Sequence, residues 1–237
     1  LERLSVCATD APIIAQIWGR NPEHFAILAA ELEELGFQGL DINMGCPDRH
    51  VNKAGGGAAM IRTPELAVAC IQEAKKMTKL PVSVKTRLGF TYVDEFRDWL
   101  PLVLAQDVAN LTIHLRTRKE MSKVPAHFEL IPEILKIRDN VAPGTKLTIN
   151  GDIQDLNQVK ELSLQYPEVD GFMIGRGVFL NPFCFTGRVQ EAQEPLKRMF
   201  KLYVNSFDGA SDLRVKLMDC KNTGELRTVI DEFLETI

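Results

Sequence analysis

The sequence predicts an α/β fold, a (β/α)8 TIM barrel with its first two strands missing from this chain, followed by a small C-terminal all-helical domain. Three observations predict it. Short β-rich runs alternate strictly with helical patterns, which is the mark of parallel strands joined by helical crossovers. Polar residues gather at the C-terminal ends of these strands, the end at which a (β/α)8 barrel builds its active site. The alternation stops after about residue 192, and only helical patterns follow. A doubly wound sheet also accommodates six βα units. The barrel is preferred because "LERLSVCATD" leads straight into a strand, as though the barrel's opening units were absent.

The elements follow in order. The strands are "IIAQIW" (13–18), "GLDINM" (39–44), "VSVKTRL" (82–88), "NLTIHL" (110–115), "KLTING" (146–151) and "GFMIGR" (171–176). Between them "PEHFAILAAELEELG", "TPELAVACIQEAKKM", "VDEFRDWLPLVLAQ", "HFELIPEILKIRD" and "LNQVKELSLQY" carry apolar residues at helical spacing. Asn21-Pro22 and Thr63-Pro64 each read as a capping residue followed by proline in the first turn. Gly36 stands where a helix C-terminal glycine belongs. The barrel domain is expected over 1–192 and the helical domain over 193–237.

Composition narrows the function classes. With 237 residues, 45% hydrophobic and 25% charged, the chain is globular. No apolar run approaches the roughly 18 residues a membrane span requires, and no secretory h-region is present. Five cysteines without CxxC or Cys/His spacing indicate neither a disulfide framework nor a zinc site, so a reducing cytoplasm is expected. A net charge of −4 argues against a protein that coats nucleic acid indiscriminately, while leaving room for a local basic groove.

The strand ends offer Gln16, Asn43 with Cys46, Lys85 with Arg87, His114 with Arg116, Asn150 with Asp152, and Gly175-Arg176-Gly177. Any one of them has a bland reading; a satisfied core histidine would account for His114. Gathered on one rim, they point to a site. "NGDI" and "GRG" end the last two strands, where glycines admit an anion to backbone N–H groups and Arg176 adds charge. That is the usual place for a phosphate in a barrel. A flat, phosphate-tailed cofactor such as FMN suits this rim. Lys85 would face the electron-rich edge of the reduced ring and Gln16 would bond the ring edge.

Cys46 sits between Gly45 and Pro47 on a turn leaving its strand. An unperturbed thiol keeps its proton at neutral pH and is able to give it up. His50 is too loosely placed to be assigned as its base. The glycines Gly55, Gly56 and Gly57 that follow suggest a mobile loop able to close Cys46 over a substrate.

"DINMGCP…GGGAAM", "PVSVKTRLG", "LTIHLRTR" and "TINGDI…GFMIGRGVFLNPF" together resemble the tRNA-dihydrouridine synthase family, FMN-dependent (β/α)8 barrels with a C-terminal helical domain. The likeness runs in register from about residue 12 to 186. It implies that Cys46 is the catalytic cysteine and that Asn43 lies near the uracil. It assigns Lys85 and His114 to the flavin, with Arg87 and Arg116 lining the mouth. Asn150, Gly151, Asp152, Gly175, Arg176 and Gly177 match contacts to the cofactor's ribityl and phosphate groups. The implied chemistry is reduction of FMN by NADPH, then hydride delivery to C6 of a tRNA uracil with protonation of C5 by Cys46. The target base would have to leave its stack. Arg116, Arg118, Lys119 and Lys123 form the densest basic cluster and are candidates for tRNA phosphates. Lys197, Arg198 and Lys201 are a second candidate cluster. A monomer is expected.

The family's first strand, with its Ala-Pro-Met type motif, and its second strand have no counterpart here, and "MSKVPAHF" stands where a Tyr-Ser-Gly-like stretch is usual. Three other readings stay open at this point. They are an FMN barrel of the dihydroorotate dehydrogenase type, a Schiff-base aldolase using Lys85, and a non-catalytic RNA-binding relative.

Overall fold

The computed structural model describes residues 11–181, 183–186, 209–220 and 222–234. These fall into two compact units. One takes the residues up to Ile153 together with Val159–Gly175; the other takes Gln154–Gln158 and the residues from Arg176 onward. The domain division expected after residue 192 lies outside the described residues.

The first unit is a parallel sheet of β1 (Ile14–Ile17), β2 (Gly39–Met44), β3 (Val82–Arg87), β4 (Asn110–His114), β5 (Lys146–Asn150) and β6 (Gly171–Met173). Its strands lie in sequence order, β1-β2-β3-β4-β5-β6. A doubly wound sheet reverses its order at a switch point. This one never does, so the six units wind in one direction as barrel units do. Among the described residues β1 and β6 are the sheet's edges, with Ile14 and Trp18 exposed at the first.

Five helices form where the apolar spacing places them: α1 (Pro22–Glu34), α3 (Pro64–Met77), α4 (Phe96–Leu104), α5 (Ile131–Val141) and α6 (Leu156–Gln165), while a short α2 (Arg49–Lys53) forms in a stretch read as loop. Asn21 caps α1, its side chain accepting from the Glu23 amide at 3.1 Å. Gly36 follows at φ +83, the left-handed position that ends the helix without a Cβ penalty. Thr63 departs from expectation. It precedes Pro64 at the start of α3, but its hydroxyl accepts no cap bond.

The two-residue period of the strands separates two faces. Leu40, Ile42 and Met44 of β2, Val82 and Val84 of β3, and Leu111 and Ile113 of β4 are fully or almost fully buried with Phe25, Ala29, Ala67 and Ile71 from the helices. The opposite face is polar. Register sets Gln16, Asp41, Ser83 and Asn110 in one row and Asn43, Lys85, Thr112 and Thr148 in the next. Arg87, His114, Asn150 and Met173 form the row nearest the strands' C-terminal ends.

One polar link crosses the apolar layer. Trp99 of α4 donates its indole N–H to Thr86 Oγ1 at 2.9 Å, and that hydroxyl donates to the Met44 carbonyl at 3.1 Å. Both side chains are buried. The second unit holds α7 (Gly177–Leu180), α8 (Ala210–Asp219) and α9 (Thr223–Leu234). Leu213, Leu217, Cys220 and Leu226 form its own small core.

Trp99→Phe keeps the ring and removes the donor. It is expected to destabilise the fold by about 1 kcal/mol, read as a lower urea midpoint with an unchanged slope. An unshifted midpoint would show that the bond contributes nothing net.

Candidate active site

The Cys46 turn is tied down from several directions. Asn43 Oδ1 accepts from the backbone N–H of Gly45 at 3.1 Å and of Cys46 at 2.9 Å. The Cys46 carbonyl receives the Ala58 amide at 3.0 Å and Asn52 Nδ2 at 2.8 Å. Arg87 Nε donates to the Gly45 carbonyl at 2.7 Å. Gly45 itself lies against the backbone of Thr86, where an added Cβ would come within 3.1 Å of the Thr86 carbonyl carbon. Cys46 remains partly exposed, whereas Cys70, Cys184 and Cys220 are buried.

The segment expected to be a mobile glycine loop is folded and closely packed in this structure. Asp48 Oδ1 caps α2 by accepting from His50 and Val51 at 2.8 and 3.1 Å, and residues Gly57–Arg62 then form a 3-10 helix with Met60 and Ile61 buried. The glycines serve close packing. At Gly57 (φ +59) a Cβ would sit 2.9 Å from the Cys46 carbonyl oxygen and 2.9 Å from Val51 Cγ1. A Cβ on Gly55 (φ +83) would meet Arg20, and one on Gly56 would meet Trp18 and the Gly19 carbonyl. What reads as slack in the sequence is crowding in the fold.

The polar face carries two hydrogen-bonded chains. Gln16 Nε2 donates to Asp41 Oδ2 at 2.7 Å, and Asn43 Nδ2 donates to Gln16 Oε1 at 2.9 Å. Lys85 Nζ donates to Asn150 Oδ1 at 3.2 Å, while Asn150 Nδ2 donates to the Met173 carbonyl at 2.9 Å. Gly151 (φ +127) follows, where a Cβ would lie 3.0 Å from Ala126 Cβ and 3.3 Å from His114 Cδ2.

Positive charge dominates this face. Burial lowers the Lys85 pKa to about 8, the Arg87 guanidinium acting in the same direction, while Asp41 and Cys46 oppose the shift. His114 is pushed down to about 3 by burial and then by Arg87, Lys85 and Arg116, with Asp152 opposing. His114 is therefore a neutral imidazole at physiological pH. Its Nε2 lies 3.2 Å from Arg116 Nη1.

Arg87 and Arg116, expected to line the mouth, are buried at 5% and 2% exposure. Arg87 Nη1 donates to the carbonyls of Thr117 and Met121, so it joins the Cys46 turn to the loop after β4. Arg116 donates to the Val124 carbonyl and pairs with Asp152, whose Oδ2 also accepts from the Ala126 amide. Arg118 stacks over Phe90 at 5.4 Å, sharing that ring with Arg62, and Lys119 lies over Tyr92 at 5.9 Å. Lys119 and Lys123 are exposed. Gly175 lies close to Asn150, a Cβ there falling 3.7 Å from Nδ2. Arg176 and Gly177 belong to the second unit, where Gly177 packs against the Gln154 backbone. Lys197, Arg198 and Lys201 lie outside the described residues.

Two contributors are absent from the sequence-based set. Asp41 shares the two-residue phase of Asn43 in "GLDINM", a signal visible in retrospect. Asn52 holds the Cys46 carbonyl from a helix too short to be announced by its apolar spacing.

A family model described as Dihydrouridine synthase (Dus) matches residues 2–232. The chain belongs to the dihydrouridine synthase family. Its curated relatives include a protein of Bacillus subtilis (strain 168) named "Probable tRNA-dihydrouridine synthase 2", 49% identical over 98% of this chain and 78% of the relative. Proteins of Staphylococcus aureus (strain COL) and Staphylococcus epidermidis (strain ATCC 35984), each named "Probable tRNA-dihydrouridine synthase", are 46% identical over the same shares. Membership in this family sets aside the dihydroorotate dehydrogenase-like and aldolase readings.

The His114 environment makes a pH prediction. The unfolded chain takes up the imidazole proton near the ordinary value of 6.5, the folded protein only at about 3. Between those values the unfolded state binds more protons, so stability falls as pH falls through the window. His114→Asn removes that contribution, and its loss of urea midpoint from pH 7 to pH 4 is expected to be smaller than wild type. An equal loss would mean that His114 titrates normally.

Proposed function

We propose that this dihydrouridine synthase family member is a tRNA-dihydrouridine synthase that reduces the C5–C6 double bond of uridines in tRNA, with bound FMN and NADPH as reductant. The observation that carries the proposal is the seat of Cys46, a partly exposed thiol fixed by Asn43, Asn52 and Arg87 beside a cation-rich polar face.

The residues present fit FMN. Lys85 is a partly buried amine held by a neutral amide oxygen, and a reduced, electron-rich ring edge would give it an anionic partner. Gly175 keeps the end of β6 free of a side chain, so a ribityl or phosphate group can approach the backbone there, while Gly151 lets Ala126 and His114 pack against the end of β5. His114 and Asn150 line the same end of the sheet. When bound, FMN supplies the hydride taken up at C6 of the uracil.

The chain's own residues do the rest. Cys46 Sγ–H gives its proton to C5, so that one hydride and one proton saturate the double bond. Asn43 holds the thiol's turn in place and is the amide assigned to the uracil. Gln16 buttresses Asn43. Arg87 and Arg116 shape the mouth from within, while Arg118, Lys119 and Lys123 on the loop after β4 take tRNA phosphates. Among the described residues no helix is long and apolar enough to cross a membrane. A cytoplasmic monomer is the assigned state.

The purified protein is expected to be yellow and to form dihydrouridine in unmodified tRNA when given NADPH. Cys46→Ala should retain the colour and lose at least about 100-fold in turnover, the range for removing a positioned proton donor. A colourless protein, or undiminished turnover in Cys46→Ala, would contradict the assignment.

A further inference from the structure

We propose that Asp41 is a positioning residue for the proton donor, setting the orientation of two side-chain amides that hold the Cys46 turn. The role rests on the reading of Cys46 as that donor; the hydrogen-bond logic does not. Asp41 is 8% exposed, and both partners of its carboxylate are neutral: Ser83 Oγ donates to Oδ1 at 2.6 Å and Gln16 Nε2 to Oδ2 at 2.7 Å. An ionised carboxylate only accepts. Gln16 must therefore turn its NH2 toward Asp41 and its oxygen toward Asn43. Asn43 then meets an acceptor and turns its own NH2 to it, at 2.9 Å. That leaves Asn43 Oδ1 facing the N–H groups of Gly45 and Cys46, the only arrangement in which all three donors are paired.

If Asn43 is reversed, its NH2 confronts two backbone N–H groups and the turn loses both bonds. The backbone N–H groups of Gly45 and Cys46 select the same orientation from the near end, so the relay is held from both ends, and Asp41 is the far-end member that cannot be flipped. Arg87 and Asn52 hold the carbonyls of the turn, but the amides of Gly45 and Cys46 depend on this relay.

The test uses hydrogen exchange together with steady-state kinetics on the purified holoenzyme. Asp41→Ala removes the anchor, and Gln16→Glu sets two carboxylates against each other. In the double variant Gln16→Glu/Asp41→Asn the carboxylate moves to position 16. There it accepts from the new side-chain amide at position 41 and from Asn43, and keeps Asn43 in its original orientation. Each single variant is expected to speed exchange of the Gly45 and Cys46 amides about tenfold, with the rest of the sheet unchanged. Turnover should fall about 10- to 100-fold with the KM for tRNA unchanged, and the double variant should recover both. Unchanged exchange at the two amides in Asp41→Ala would overturn the proposal. So would faster exchange across the whole sheet, or a double variant no better than the singles. Should Asp41→Ala fail to fold, the comparison of Gln16→Glu with the double variant decides alone. Wild-type turnover by Cys46→Ala would overturn the donor reading, and with it this role, whatever the exchange data show.

Discussion

A partly buried polar face is the constraint on which the rest of this structure depends. The strands alternate, so that burying Leu40, Ile42 and Met44 against the helices commits Asp41 and Asn43 to the other side. A one-residue slip would exchange the two sets. Polar groups on the inner face must find partners there, because an unpaired buried donor or acceptor costs roughly 1–3 kcal/mol. They find them in neighbouring strands, and the in-register parallel pairing brings those neighbours level. Gln16 meets Asp41, Asp41 meets Ser83, and Lys85 reaches Asn150. Fold and site are thus one hydrogen-bonding problem with one solution.

The second consequence is electrostatic. Lys85, Arg87 and Arg116 share a partly desolvated face, where Asp41 opposes the shift of Lys85 and Asp152 that of His114. The field depresses both the lysine and the histidine in their midst. A site so arranged favours ligands that bring negative charge with them. FMN does so through its phosphate, and RNA through its backbone. The arginines nearest the chemistry are also braces, and Arg87 binds the turn of the thiol to the loop that carries the basic cluster.

Much of this was legible in the sequence. The strand and helix order came from periodicity, since "GLDINM" and "NLTIHL" alternate while the intervening segments repeat at helical spacing. Cys46 stood out because glycine and proline frame it. Roles that depend on register were not legible. Asp41 and Gln16 are 25 residues apart and become partners only when β1 and β2 pair. Arg87 and Arg116 read as a lined mouth because sequence shows charge and not burial. Gly55, Gly56 and Gly57 read as freedom of motion, when the space around them is filled by Arg20, Trp18 and Cys46. Glycine marks a missing side chain; only the fold shows whether mobility or contact requires it.

The central claim is that this polar face and its thiol act on uridines of tRNA. The most direct measurement is the dihydrouridine content at each tRNA position in cells with and without the gene, with the Cys46→Ala allele as a third strain. The account predicts that at least one position loses dihydrouridine when the gene is removed and that the Cys46→Ala allele fails to restore it. Full modification of every position without the gene, or full restoration by Cys46→Ala, would contradict it.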